Sequence, residues 1–329
     1  MKDSDPLLPK LPAPSTEELL LSKLDVASAQ VWGNSITRVD IEKWLENFNG
    51  SSPIKDNERI NALHLLSNFN LFGIREIREL LRALYRDLFR YPIVQQIRAN
   101  NNNTFDRKVI ESAWRTELAC TRFLGMGNPS ESGAHLLYYF RQANSLSKRL
   151  FIHQHEVFDG PVGHPSSKLS ISNLKRLIFI DDVLGSGTQA REYSQKFVSQ
   201  VKRAAAEAGE DVDVEYLVLF AKEEGLLEAR TLDFDRVEAV HDIQASELAF
   251  SPDARIYSTP PRDISQADGL ALAEHYGREL YPEHPLGYKD GQLLLGFPHN
   301  IPDNSLPIVW WSGGPSNWKP AFPRYGKIY

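Results

Sequence analysis

Apolar residues recur at helical spacing through the first third of the chain. Ile41, Trp44, Leu45 and Phe48 form one stripe, and Ala62, Leu65, Leu66 and Phe69 a second. Ile77, Leu80, Leu81, Leu84 and Leu88 form a third. The spacing predicts three amphipathic helices, the last interrupted at Pro92. From about Asp106 the pattern changes to short apolar runs, Cys120–Leu124, Arg149–Ile152, Leu177–Ile180, Val214–Phe220 and Val237–Ile243. Helical stretches lie between several of these runs, which predicts an α/β fold with a mainly parallel sheet. Upstream, the Pro- and charge-rich stretch Asp3 to Thr16 has the composition of a disordered segment. The expected organisation is therefore a flexible segment over 1–34, a small helical module over 35–105 and an α/β domain over 106–329. No internal repeat and no long low-complexity tract is visible.

The run Leu177–Ile180 leads into the most informative segment. It reads as a buried parallel strand, followed by Asp181, Asp182, Val183 and Leu184 and then by the turn Gly185-Ser186-Gly187-Thr188-Gln189. A helix follows, with Ala190, Tyr193, Phe197, Val201, Ala204 and Ala208 on one face and Gly209 as its stop. A strand–turn–helix of this kind gathers free backbone N–H groups and the positive end of a helix at one point, which suits a phosphate. Paired carboxylates at the strand end suit vicinal hydroxyls or a magnesium shell. Acids beside a phosphate cradle point to a sugar phosphate. The chain has no G-x-G-x-x-G and no Walker A lysine. Adjacent acids at the carboxyl end of a parallel strand lie where ligands bind such sheets, which weighs against an incidental surface loop.

Composition narrows the setting. The chain has 329 residues, enough for two domains, and a single cysteine, Cys120, which excludes an internal disulfide framework and fits a reducing cytosol. No apolar run reaches the length of a membrane span and no signal peptide is visible, so a cytoplasmic protein without a membrane partner is expected. A formal net charge of −6 argues against broad nucleic-acid binding and leaves only a local patch for it.

Other candidates are less specific. Arg78, Arg82, Arg86 and Arg90 recur at steps of four on the third helix, as a solvated face paired with Glu76, Glu79 and Asp87 or as a docking ridge for an acidic partner. Ser130, Glu131, Ser132 and Gly133 precede a helix and offer either a cap or a second anion site. Residues 153–172 lack periodicity and read as a long loop of the kind that forms mobile lids. Its His153, His155 and His164 lack an orthodox ligand spacing and a clear fourth ligand, so no protein-held metal site is expected. The C-terminal stretch, about 285–329, contains an apolar strand Gln292–Phe297, then His299-Asn300-Ile301-Pro302-Asp303-Asn304-Ser305-Leu306-Pro307, then Trp310, Trp311 and Trp318. Packing is the expected role of those tryptophans. A hood over a ligand is the other reading of the stretch, with Asn300 and Asn304 offering amide donors and acceptors to a base edge.

The strand, the paired acids and the Ser-Gly-Thr loop resemble the phosphoribosyl-pyrophosphate (PRPP) motif of type I phosphoribosyltransferases. Combined with Ser130-Glu131-Ser132-Gly133 and the Asn-x-Pro-x-Asn-x-Leu-Pro-x-x-Trp tail, the chain resembles, over most of its length, the phosphoribosyltransferase-like proteins of bacterial conflict (antiphage) systems, the PRTase-CE group. That resemblance implies a type I phosphoribosyltransferase-like sheet with flanking helices. It implies that Asp181 and Asp182 contact the ribose 2′ and 3′ hydroxyls, and that Gly185, Ser186, Gly187, Thr188 and Gln189 hold the 5′-phosphate. The loop of Ser130–Gly133 would contact pyrophosphate, and the 153–172 loop would close over PRPP with Lys168, or Lys175 and Arg176, balancing charge. Mg2+ would arrive with the diphosphate ligand. Gly185 and Gln189 depart from the motif, which usually has Ala, Ser or Thr at the first position and Thr at the second. Three functions are compatible with these residues: an enzyme that transfers or removes a phosphoribosyl group, a non-catalytic sensor of a ribose phosphate or nucleotide, and an interaction subunit of a defence complex whose protein partners dock on the helical module.

Overall fold

The structure, a computed structural model, describes residues 14–127, 132–161, 164, 167–314 and 317–324, with the backbone alone described for 132–134. The chain forms two compact units. One combines the residues up to Leu71 with Ala249–Leu295 and the chain from Ser305, and the other combines Phe72–Leu248 with Gly296–Asn304. This division differs from the expected boundary at 105. The helices Arg38–Leu45 and Glu58–Ser67 fall in the first unit, and the helix Ile74–Ala83 falls in the second with the sheet. An amphipathic stripe shows that a helix needs a partner, not which partner it takes.

In the first unit, the flexible stretch expected through residue 34 is corrected from Thr16 onward. Thr16–Gln30 is a helix opened by a Ser15/Glu18 capping box, with Leu20, Leu21 and Leu24 buried. Trp44, Phe48, Tyr276 and Trp318 form an aromatic cluster with neighbouring centroids 5.0–5.4 Å apart, Phe48 meeting the other three edge-on. The indole N–H groups of Trp44 and Trp318 both donate to the Ile308 carbonyl, at 2.8 and 3.1 Å. The tail tryptophans Trp310 and Trp318 are therefore packing residues of this unit. The tail strand is shorter than the expected Gln292–Phe297 and spans only Leu295–Gly296.

Buried Glu58 ties the first unit's loop down by accepting from the Gly50 and Ser52 N–H groups and the Tyr276 hydroxyl. Burial penalises its charge, but the hydrogen bonds outweigh burial and hold the carboxyl below the ordinary 4.5. A depressed carboxyl contributes stability above the unfolded-state pKa and loses it as pH falls through the folded-state pKa. Glu58→Gln is thus expected to cost about 1–2 kcal/mol at neutral pH. Paired denaturation curves should show that difference shrinking as the pH is taken below 4.5.

In the second unit, four parallel strands form a sheet: β1 (Thr121–Gly125), β2 (Arg176–Leu184), β3 (Asp213–Lys222) and β4 (Arg236–Ile243), adjacent in that order. Phe123 of β1 pairs with Ile178 of β2 and also bridges Phe151 in parallel, which puts Phe151 on the outer side of β1. The run expected as a strand at Arg149–Ile152 is reduced to this one bridge beside a short turn at Lys148–Leu150. Counting the Phe151 bridge as an edge position, the chain passes to the outer side of β1 before it returns to β2, so a switch point lies between β1 and β2.

Each face of the sheet has its own cover. The helical stretch 188–208 packs Phe197, Val198, Val201 and Ala204 against Leu177, Phe179, Tyr216 and Val218. It ends at Gly209 in the left-handed conformation, φ +69°. On the other face Phe123 meets Phe89 at 5.0 Å and Phe140 at 5.2 Å. The predicted stop at Pro92 does not occur. A π-helical turn at Leu84–Arg90 leads directly into the helix Tyr91–Asn100, so Pro92 lies within a continuous helical stretch next to the π-turn. Among the described residues no helix is long and apolar enough to cross a membrane.

Candidate functional site

The second unit's chemistry collects at the carboxyl edge of the switch point, where the crevice beside diverging connections receives ligands in open α/β sheets. β1 pairs with β2 only as far as Gly125 opposite Ile180, whereas β3 stays paired to Leu184 opposite Ala221. Residues 181–184 therefore run past the end of β1. The strand was expected to stop at Ile180, with the acids just beyond it. Instead both acids lie inside the strand, and alternation sends their side chains to opposite faces.

Asp181 shares the face of Leu177 and Phe179 and is only 4% exposed. The Tyr216 hydroxyl donates to its Oδ2 at 3.1 Å. Burial, and then the adjacent Asp181, push the Tyr216 pKa well above its ordinary value, so the phenol keeps its proton and remains a donor. Asp182, 5% exposed, accepts the Val183 N–H at Oδ1 (2.8 Å). Its Oδ2 lies 3.3 Å from His299 Nε2.

The loop after β2 is packed from two sides by groups that a β-carbon would displace. Gly187, at φ +77°, caps the following helix without any side-chain hydrogen bond. A Cβ there would also meet Glu228 Cγ at 2.7 Å. Glu228 accepts from Arg191 Nε at 2.7 Å, so a cation offsets its charge beside the cradle. On Gly185 a Cβ would fall 2.4 Å from Asn304 Oδ1. Gly225, on the helix Glu223–Ala229, sits so close that its Cβ would fall 2.3 Å from the Gly185 carbonyl. The Ser186 and Thr188 hydroxyls are 3.0 Å apart, and Gln189 is exposed. The glycine cap adds no side-chain hydrogen bond to this helix start, and backbone N–H groups at a helix start are suited to an anion.

The short segment Gly296–Asn304 also belongs to this unit. Phe297 and Asn300 exchange backbone hydrogen bonds, closing a tight turn that carries His299. The imidazole stacks on Phe297, 5.5 Å between centroids and 9° between planes. Its side chain is 9% exposed, and Nδ1 is buried without a hydrogen-bond partner. Such an orphan costs about 1–3 kcal/mol.

The expected site residues separate into groups. Asp181, Asp182, Gly185–Gln189 and Asn304 come together. Asn300 lies half-buried in the same turn as His299. Ser130 and Glu131 lie outside the described residues, and Ser132 and Gly133 open the helix Ser132–Ala143 that follows β1. Lys168 is exposed in a two-residue pairing with Phe158–Asp159. Lys175 and Arg176 are not brought to the acids. Arg176 begins β2, five residues before Asp181 and so roughly 16 Å away along the strand, and both cations pair with Glu117.

The ridge arginines each have a partner within the unit, and Arg82, Arg86 and Arg90 stay exposed. Arg78 bonds Gln142, Arg82 bonds Glu79 and the Ala143 carbonyl, Arg86 pairs with Asp87, and Arg90 lies over Trp114. His153 and His155 stack on each other, and no cluster of three or more His, Cys, Asp or Glu placed to hold a metal occurs among the described residues. Sequence reasoning missed Tyr216, His299, Gly225 and Glu228. A tyrosine inside the apolar run Val214–Phe220, and a histidine next to Asn300, were the available signals.

The second unit is thus a parallel α/β sheet with paired acids at the carboxyl end of β2, directly before a helix start. The PRTase-CE family model matches residues 41–324, and the chain belongs to the PRTase-CE family. Among solved structures the chain is similar to orotate phosphoribosyltransferase from Aeropyrum pernix, at 19% identity and a TM-score of 0.20 over 40% of this chain and 72% of that one. A search of curated proteins finds no match.

Proposed function

We propose that this protein binds PRPP, or a related ribose phosphate or nucleotide, at the β1–β2 crevice, as the effector of a bacterial antiphage defence system in the cytoplasm. The observation that carries the ligand class is the placement of Asp181 and Asp182 on β2 beyond the end of β1, directly before the glycine-capped helix start. In this reading the acids take the ribose hydroxyls and the 185–189 loop takes the 5′-phosphate. Ser132 and Gly133 stand at the pyrophosphate side, and Asn300 and Asn304 at the base. The defence role rests on the family alone.

Magnesium is usually held by one or two carboxylates together with phosphate oxygens and water. Asp181 and Asp182, with a ligand diphosphate, fit that mode. The ion would supply charge neutralisation for departing pyrophosphate. Transfer or cleavage at the ribose anomeric carbon needs no protein nucleophile. The chain's work is to fix the ribose and its phosphate while the bond to pyrophosphate breaks, which is catalysis by positioning and electrostatic support.

A second reading, a sensor that binds without turnover, draws on Asp181 and Asp182 already having Tyr216 and His299 beside them. Pyrophosphate release from PRPP and Mg2+ separates the two. The enzyme reading expects release that disappears in Asp181→Asn. Binding without release in the wild type favours the sensor.

A further inference from the structure

We infer that the amino edge of the sheet holds a second small-molecule site, at the opposite end of β2 from the paired acids, which takes a zwitterion of amino-acid size with an apolar side chain. This second site is independent of the ribose-phosphate reading. A cavity of about 340 Å3 opens there, within the size range of small-ligand pockets. Ile93 and Ile97, on one face of the helix Tyr91–Asn100, give it an apolar wall with Gln96 beside them. The facing wall is charged. Arg176 begins β2, Asp213 begins β3, and the two are register partners. Glu117 and Lys175 flank Arg176, and Asp211 flanks Asp213.

The charged wall is only half-satisfied. The Arg176 side chain is 9% exposed, and its Nη1 donates to Glu117, whose other oxygen accepts from Lys175 at 2.8 Å. Arg176 Nε and Nη2 donate to no described residue. Asp213 Oδ2 stands 3.8 Å from Nε, too far for a hydrogen bond, and the Asp213 carboxylate accepts none among the described residues. Burial raises the Asp213 carboxyl above its ordinary 3.8 against the pull of Arg176, with Asp235 and Asp211 adding repulsion, so a further cation beside it is favourable. A buried guanidinium with spare donors is matched by a carboxylate. An anion alone would meet Asp211 and Asp213, and a cation alone would meet Lys175 and Arg176. An α-amino acid presents both charges from one carbon, which suits donors and an acceptor set side by side, and leaves its side chain for Ile93 and Ile97.

The test titrates the full chain with L-valine, L-leucine and L-phenylalanine by saturation-transfer NMR. The tightest of them is then compared with its amide, which lacks the carboxylate, and with its deamino acid, which lacks the ammonium. We expect saturable binding in the millimolar range or tighter, and a loss of about tenfold or more for each analogue. Two variants place the binding. Gln96→Trp fills the cavity from an exposed, uncharged helix position, and Asp213→Asn removes the partner of the ammonium. Each should weaken binding about tenfold or more, with thermal melts confirming that the chain stays folded. Binding that persists in Gln96→Trp lies elsewhere and overturns the inference. An analogue that binds as tightly as the amino acid means that only one charge is read, which overturns it too. Absence of binding by all three amino acids at about 10 mM also overturns it and leaves the charged wall as a hydrated ion-pair network.

Discussion

Replacing both acids, Asp181→Asn with Asp182→Asn, is expected to weaken PRPP binding in the presence of Mg2+ by a hundredfold or more, out of proportion to its cost in folding. Hydrogen bonds to charged groups contribute about 1.5–3 kcal/mol each, so two carboxylates lost together exceed two orders of magnitude. Asparagine retains the shape and one acceptor oxygen. That oxygen can keep the Tyr216 hydroxyl in one case and the Val183 N–H in the other, while the Asp182 N–H and His299 Nε2 then face the new amide nitrogens. The separation between binding loss and the smaller stability loss is the signature of a site. A packing role would move both together, and parallel calorimetry and urea melts distinguish the cases.

The second large effect concerns the cradle's first residue. Gly185→Ala is expected to cost about 1–3 kcal/mol, the range for overpacking a filled interior, because its methyl would fall 2.4 Å from Asn304 Oδ1. Asn304 is itself buried and cannot swing freely into solvent. In an Asn304→Ala background the same change should be nearly neutral. The double-mutant cycle, read from urea denaturation midpoints, then yields a coupling of the same size as the single cost. Additive effects would mean that the asparagine does not constrain the loop. This contact also gives the departure at Gly185 a physical reason: where related motifs carry a small side chain, this chain fills the space from Asn304.

How much of this was legible in the sequence depended on whether the determinant was local. The strand at 177–180, the turn at 185–187 and the helix ending at Gly209 were readable because a continuous apolar run gives way to a 3.6-residue stripe around a glycine turn. The continuation of β2 through Asp181 to Leu184 was not, since two acids end the apolar run and only the pairing with β3 reveals the strand. The Ser15/Glu18 box marking the first helix was present but masked by its Pro-rich approach. Partner choice was illegible. The stripes at 41–48 and 77–88 look alike, yet one packs with Tyr276 and Trp318 and the other belongs with the sheet. His299 meets Asp182 across 117 residues, a contact that no local pattern encodes.

The site's central claim is most directly tested by calorimetric titration of the purified full chain with PRPP, with and without Mg2+. The account predicts saturable binding near one ligand per chain that strengthens with the ion. Absence of heat at millimolar PRPP in the presence of Mg2+ would contradict it.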